Sequence, residues 1–250
     1  MDSTSPGPIR NQAIQGSLRD AWLIAALGAV AGHRPDAIRR VLRKHPSGNV
    51  RVELHQVCLD RRSADWVPTG QPIVLELSPD LPLNPYSPRL SYYADTGYSK
   101  AIWPALLEKA FAAVDAFWST ARRETVPERG YHRLDLGGDE WEAAEMLAQL
   151  TGERAGLITF GRNPRDTEEA ETVLRYLLLM RRPVLIGSAP RSDAQGLPTH
   201  GIYPAHVYEI TRIHAGRVDL RNPWGVVDVP GVPLRVLLAN TRGSIVTVKE

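Results

Sequence analysis

The stretch Gln15-Gly16-Ser17-Leu18-Arg19-Asp20-Ala21-Trp22-Leu23-Ile24-Ala25-Ala26 sets the frame for the whole chain. A polar turn runs into residues 22–31, which are almost uniformly apolar and are closed by Gly32. A segment apolar on every side predicts a helix buried all round, not one lying on a surface. Asp20 stands at the natural N-cap, with Ser17 as the alternative. Position 21 therefore opens a buried helix, where the helix dipole favours an anion. The residue there is alanine, which has no chemistry to offer.

Outward from this helix the pattern changes several times. A second helix is expected over 35–44, opened by Pro35 and Asp36 and ending in basic residues. Alternation of Val50, Val52 and Leu54 with Arg51 and Glu53 predicts a strand over 49–54, and 72–77 reads as another. Prolines and turn residues make 78–98 a long irregular loop. Helical spacing returns over 103–117, where Leu106, Leu107, Ala110, Phe111 and Val114 share a face. Two more helices are expected over 139–150 and 167–180, the latter capped by Thr167 and followed by Pro183. Beyond it the chain reads as strands at 184–187, 206–214, 217–220 and 244–248. The class is α+β, with a helical N-terminal half (1–152) and a β-rich C-terminal half (153–250). A cleft between two such halves is a favoured place for an active site.

Composition narrows the function. The chain has 250 residues, of which 43% are hydrophobic, enough for a sizeable core. Thirty Lys and Arg against 28 Asp and Glu leave a formal charge of +2, without the clustered cations that nucleic acid requires. The densest basic stretch, 39–44, is broken by Val41 and Leu42 and reads as the solvated side of a helix. No apolar run reaches the length of a membrane span, and residues 1–10 lack the apolar core of a signal peptide. Cys58 is the one cysteine, so no internal disulfide can form.

Two further segments carry chemistry: Ala205-His206-Val207-Tyr208 and Arg221-Asn222-Pro223-Trp224-Gly225. Alone, His206 would be a core histidine, Asn222 a turn residue and Ala21 helix filler. Together and in order, the three segments resemble the calpain family of papain-like cysteine peptidases. That family reads Q-G-x-L-G-D-C-W-[LF]-L-A-A, then G-H-[AS]-Y, then N-P-W-G. The first motif matches at Gln15, Gly16, Leu18, Asp20, Trp22, Leu23, Ala25 and Ala26, and departs at Arg19 and Ala21. The second matches at His206 and Tyr208 only; the third matches throughout. Asp80-Leu81-Pro82 resembles the family's D-x-L-P turn, and 103–111 its W-x-x-L-L-E-K-A-[YF] helix. Gly137-Gly138 and Leu150-Thr151-Gly152 fall where the family has its own G-G and T-G.

The resemblance implies a papain-like fold in two subdomains and an endopeptidase that works through a thioester. Position 21 would hold the nucleophile, activated by the helix start and by an opposed histidine. His206 would pair with the thiolate and protonate the leaving amine. Asn222 would orient the imidazole, and Gln15 would donate to the oxyanion with the backbone N–H of residue 21. Trp22 and Trp224 would keep water from the His206–Asn222 pair. With alanine at 21 the chain would bind substrate without cutting it.

The vacancy has two readings: a cysteine replaced by alanine in an active protease, or a natural pseudoprotease that kept the cleft for binding. Retained Gln15, His206 and Asn222 favour the first; Arg19 in place of glycine favours the second. No substitute nucleophile is expected. Cys58 reads as part of a polar stretch after the first strand, and Gly187-Ser188 lacks the flanking pattern of a nucleophile elbow. His200 and His206 have no third ligand at metal spacing. No cofactor is expected, and calcium independence follows from the few carboxylates beyond Asp228 and Asp95. Expected partners are a protein or peptide substrate, or the chain's own longer form or another subunit, with no nucleic acid or membrane. The arginine- and alanine-rich composition suggests a bacterial cytoplasmic protein or an exported effector.

Overall fold

The computed structural model describes residues 7–81, 93–161, 164–190 and 200–250. The expected irregular loop at 78–98 and the turn at Pro82 fall partly outside the described residues. Helix α1 (Ala21–His33) is the buried helix the sequence calls for, with every residue from Trp22 to Ala31 shielded from solvent. Helix α2 (Pro35–Val41) is shorter than expected, because the chain turns extended at Leu42 and forms strand β1 (Leu42–Lys44). Leu42 pairs with Val52 there, and this ladder replaces the last helical turn.

Strands β2 (Val50–Asp60) and β3 (Asp65–Leu77) form one long antiparallel hairpin. The expected N-terminal half is thus less purely helical than its sequence suggests. Beyond Leu54 the residues of β2 are only half-buried or exposed, so the apolar alternation that marks a strand fades there, although Trp66 and Asp65 opposite its end are buried. Cys58 consequently lies within β2, exposed, and not in a loop after it.

Helices α3 (Thr96–Ser99) and α4 (Trp103–Val114) follow, α4 giving way at Asp115–Phe117 to a single 3-10 turn. Short helices α5 (Thr120–Thr125) and α6 (Tyr131–Asp135) lead to α7 (Glu140–Thr151). Helix α7 opens with a capping box: the Asp139 side chain accepts from Trp141 N, and the Glu142 carboxylate accepts from Asp139 N. It ends at Gly152, whose φ of +72° suits a left-handed cap.

Strand β4 (Ala155–Thr159) precedes α8 (Pro164–Leu179), which starts before Thr167, so Thr167 lies inside the helix and does not cap it. The remainder is β5 (Val184–Ser188), β6 (Val207–His214), β7 (Arg217–Arg221), β8 (Val229–Pro233), helix α9 (Leu234–Ala239) and β9 (Thr241–Val248). All strands join one antiparallel sheet in the order β1-β2-β3-β4-β9-β5-β6-β7-β8.

Period-two alternation in the central strands divides the interior into two cores. Leu185, Val207, Val246 and Val248 face α1, α2, α4 and α7. Val184, Ile186, Tyr208, Ile210 and Ile245 face the opposite side, under α8 and α9. The centre of the sheet is covered on both faces, and the architecture is α+β.

Candidate active site

His206 ends the turn before β6, and Asn222 follows the last residue of β7. Because Glu209 of β6 pairs with Arg221 of β7, the antiparallel ladder carries both residues to one end of the sheet. His206 Nε2 and Asn222 Oδ1 lie 2.9 Å apart in a buried setting. The Trp224 backbone N–H also donates to Oδ1, at 3.1 Å. A backbone N–H can only donate, so this atom is the amide oxygen and the imidazole must donate to it. The ring therefore carries its proton on Nε2 and leaves the Nδ1 lone pair available. Burial lowers the His206 pKa, and the bond to Asn222 partly opposes that, so the ring rests neutral.

The chain before position 21 is strapped to the same end of the sheet. Arg10 Nε donates to Glu209 Oε1 at 2.7 Å, and Arg221 donates to the Ala13 carbonyl. Gln15 N donates to Pro223 O at 2.8 Å. Burial pushes Glu209 up to about 7 despite the two arginines, and holds His33, beside Arg10, down at about 4. These ties bring the 13–20 loop beside Asn222-Pro223-Trp224-Gly225. Helix α1 then packs across β6.

Ala21 is the first residue of α1 and is partly accessible. The first intrahelical bonds run from Leu23 and Ile24 to Asp20 O, so the N–H groups of Ala21 and Trp22 precede the ladder. Asp20 occupies the N-cap, but its side chain makes no capping bond and is buried instead. Gln15 Nε2 donates to Leu18 O at 2.5 Å, which uses one of its two N–H groups within its own loop. Arg19 does not take up a left-handed backbone. Its N–H and Nε reach Asp135, at 3.1 Å from Oδ1 and 2.9 Å from the carbonyl oxygen.

The two tryptophans separate. Trp224 lies 4.7 Å from the His206 ring and is itself braced by Tyr203. Trp22 packs elsewhere, edge-on to Trp118, beneath the Arg122 guanidinium and against Gly138. The second aromatic wall of the histidine is Tyr208, at 4.9 Å and nearly perpendicular. In the sequence Tyr208 matches a motif without acquiring a role. The available signal is its spacing, since residues two apart on a strand share a face.

Ala205 holds φ at +51°, a left-handed conformation that costs an alanine about 1–2 kcal/mol. Glycine escapes that strain at a larger entropy loss. Ala205→Gly is expected to stabilise the fold by roughly 0.5–1 kcal/mol, read as a raised midpoint in chemical unfolding. A lowered midpoint would show that the turn tolerates alanine without strain.

The two acidic residues considered for calcium both accept backbone hydrogen bonds. Asp228 Oδ1 accepts from Asn222 N at 3.0 Å, and the Asp95 carboxylate caps α3. Among the described residues no three His, Cys, Asp or Glu side chains converge. Nor does any described helix have the length and apolarity to cross a membrane.

The imidazole is held by a buried asparagine, and the loop that leads into α1 is tied to the next residue, Pro223. In comparison with known sequences, the pattern described as calpain family cysteine protease matches residues 5–232. The chain belongs to that family. It is similar to calpain-9 of Rattus norvegicus, 26% identical over 234 residues, covering 90% of this chain and 30% of the relative. Human calpain-14 is 27% identical over 237 residues, covering 87% and 28%. Calpain clp-4 of Caenorhabditis elegans is 29% identical over 145 residues, covering 54% and 17%. The chain thus spans less than a third of the length of these relatives.

Proposed function

We propose that this chain is the peptide-binding core of a calpain-type cysteine endopeptidase, catalytically silent because residue 21 is alanine. The observation that carries the reading is the His206 Nε2–Asn222 Oδ1 bond with Nδ1 left as a base. In the active form a cysteine at 21 gives its proton to His206 Nδ1, and the resulting thiolate is stabilised by the start of α1. The thiolate sulfur attacks the substrate carbonyl carbon, and the oxyanion is met by the residue 21 N–H and the second N–H of Gln15. The imidazolium then protonates the leaving amine, and the thioester is hydrolysed by water that His206 deprotonates.

Asn222 keeps the ring in one orientation throughout, and Trp224 with Tyr208 excludes water from the bond. Substrate lies between residues 1–152 and 153–250, with Gln15 and position 21 on one side and His206 and Asn222 on the other. Protein or peptide substrates, a bacterial source and a cytoplasmic setting belong to the same reading.

The test is Ala21→Cys made together with Cys58→Ser, because Cys58 is exposed and would react by itself. An epoxide of the papain-inhibitor type is expected to label position 21 stoichiometrically, and quenched peptides to be cleaved. A folded variant that remains unlabelled sinks the protease reading. Peptide binding by the unaltered chain, with no labelling of the variant, would favour a natural pseudoprotease, to which Arg19 in place of the family glycine also points.

A further inference from the structure

His206 follows an irregular turn with left-handed residues at His200, Gly201 and Ala205. The β5–β6 ladder ends at Gly187 and Val207, and beyond it Ala205 N reaches Ala189 O only at 3.4 Å, yet the side chain at the end of the turn must be held closely to do acid–base work. Ser188, the last residue of β5, supplies the fixing. Its N–H donates to His206 O at 2.8 Å, and its hydroxyl oxygen accepts from His206 N at 2.9 Å. The hydroxyl proton goes to Tyr203 O, 2.6 Å away. Both backbone polar groups of the histidine are thus gripped by one residue, which also ties down the turn three residues earlier. Tyr208, whose ring walls the imidazole, closes the other side by accepting from Tyr203 N at 2.8 Å.

We infer that Ser188 is a positioning residue for the reaction, fixing the His206 backbone so that its ring meets both Asn222 and the residue at 21. The catalytic half of this inference rests on the protease reading above; the positional half concerns the unaltered chain and stands apart from it. A buried serine in an ordinary strand end spends its hydroxyl on a local carbonyl. Ser188 instead spends its hydroxyl on the two ends of the turn that presents the histidine, and it is buried enough that water cannot replace it. Removing the hydroxyl leaves His206 N buried and unpaired, so the turn must move to reach another acceptor. Displacements near 1 Å at an active site cost on the order of 100-fold in rate.

The experiment has two arms. In the unaltered chain, nitrogen NMR of the imidazole is expected to show His206 as the Nε2–H tautomer, and Ser188→Ala to give mixed tautomers. In the Ala21→Cys, Cys58→Ser protein, Ser188→Ala is expected to lower kcat by roughly 10- to 100-fold with KM changed less than about threefold. Ser188→Thr, which keeps the hydroxyl, is expected to restore most of the rate. Should Ser188→Ala fail to fold, Tyr208→Phe, which releases Tyr203 N, is expected to shift the tautomer in the same direction. A lowered melting temperature with unchanged tautomer and unchanged kcat would overturn the inference and leave Ser188 a purely structural residue. An Ala21→Cys protein inactive on every peptide would sink the protease reading, and the tautomer arm would still decide where Ser188 acts.

Discussion

In the Ala21→Cys, Cys58→Ser protein, His206→Ala is expected to lower kcat/KM by on the order of 1,000-fold, with most of the loss in kcat. The magnitude follows from what the ring does. It takes the thiol proton, holds the thiolate as an ion pair and delivers a proton to the leaving amine. An isolated thiol at neutral pH is mostly protonated and slow. The start of α1 remains in the variant and supplies part of the thiolate stabilisation, so the loss is not total. Asn222→Ala should cost less, because the imidazole stays but its tautomer is no longer enforced by Oδ1. Substrate binding involves neither atom directly, so KM should move less than about threefold in both variants. Stopped-assay kinetics on a quenched peptide read all of this. A His206→Ala protein within tenfold of its parent would mean that another base serves position 21.

The sequence makes α1 legible because an all-round apolar decapeptide has only one way to avoid water. It makes His206 and Asn222 legible as a pair through a motif, and the antiparallel β6–β7 ladder explains why residues sixteen apart in the chain meet. Other features leave no local trace. After Leu54 strand β2 has no fully buried residue, so it has no alternation to read. Strand β1 is decided by pairing with Val52, not by propensity.

Trp22 and Trp224 look equivalent beside the two site segments. Only packing separates them, since Trp22 leads into a buried helix that needs Trp118 and Gly138 as neighbours. Ser188 lacks the flanking residues of a nucleophile, and the sequence offers it no other role. Its bonds depend on the register that places it opposite the His206 turn, which no spacing rule reveals. Asp20 reads as an N-cap, and Glu108 matches the helix motif of 103–111 without acquiring a role; that the two lie in one interior needs the tertiary fold.

That shared interior carries the other large expectation. Asp20, immediately before position 21, and Glu108 of α4 are both fully buried. The two carboxyl groups interact in the same interior, so ionising both would set like charges against each other. Glu108 Oε2 accepts from Ala94 N at 2.9 Å, while Glu108 Oε1 and both Asp20 oxygens have no hydrogen-bond partner among the described residues. Burial raises both acids, Asp20 to about 7 and Glu108 well above its ordinary value. Below pH 7 the pair is therefore neutral, and these two acids add no negative charge beside the helix start that a thiolate at 21 would need.

The unfolded Asp20 releases its proton near pH 3.9. Its contribution to stability is fully present below that pH and is lost as pH rises through about 7. Asp20→Asn keeps the size of the side chain and has nothing to ionise. Relative to the parent, it is expected to be neutral near pH 4 and to stabilise progressively up to pH 8. The distance between the unfolded and folded pKa of Asp20 bounds the gain at about 4 kcal/mol. Half of that raises the melting temperature by roughly 4–8 °C in a chain this long.

Glu145 and Glu209, also raised to about 7 by burial, give both proteins the same downward slope over this range. The depressed His33 and His206 act oppositely as the pH falls, again in both. The difference between the two melting curves against pH therefore isolates Asp20 together with its effect on Glu108. Parallel curves from pH 4 to 8 would show that Asp20 is ionised throughout and that burial does not hold it protonated.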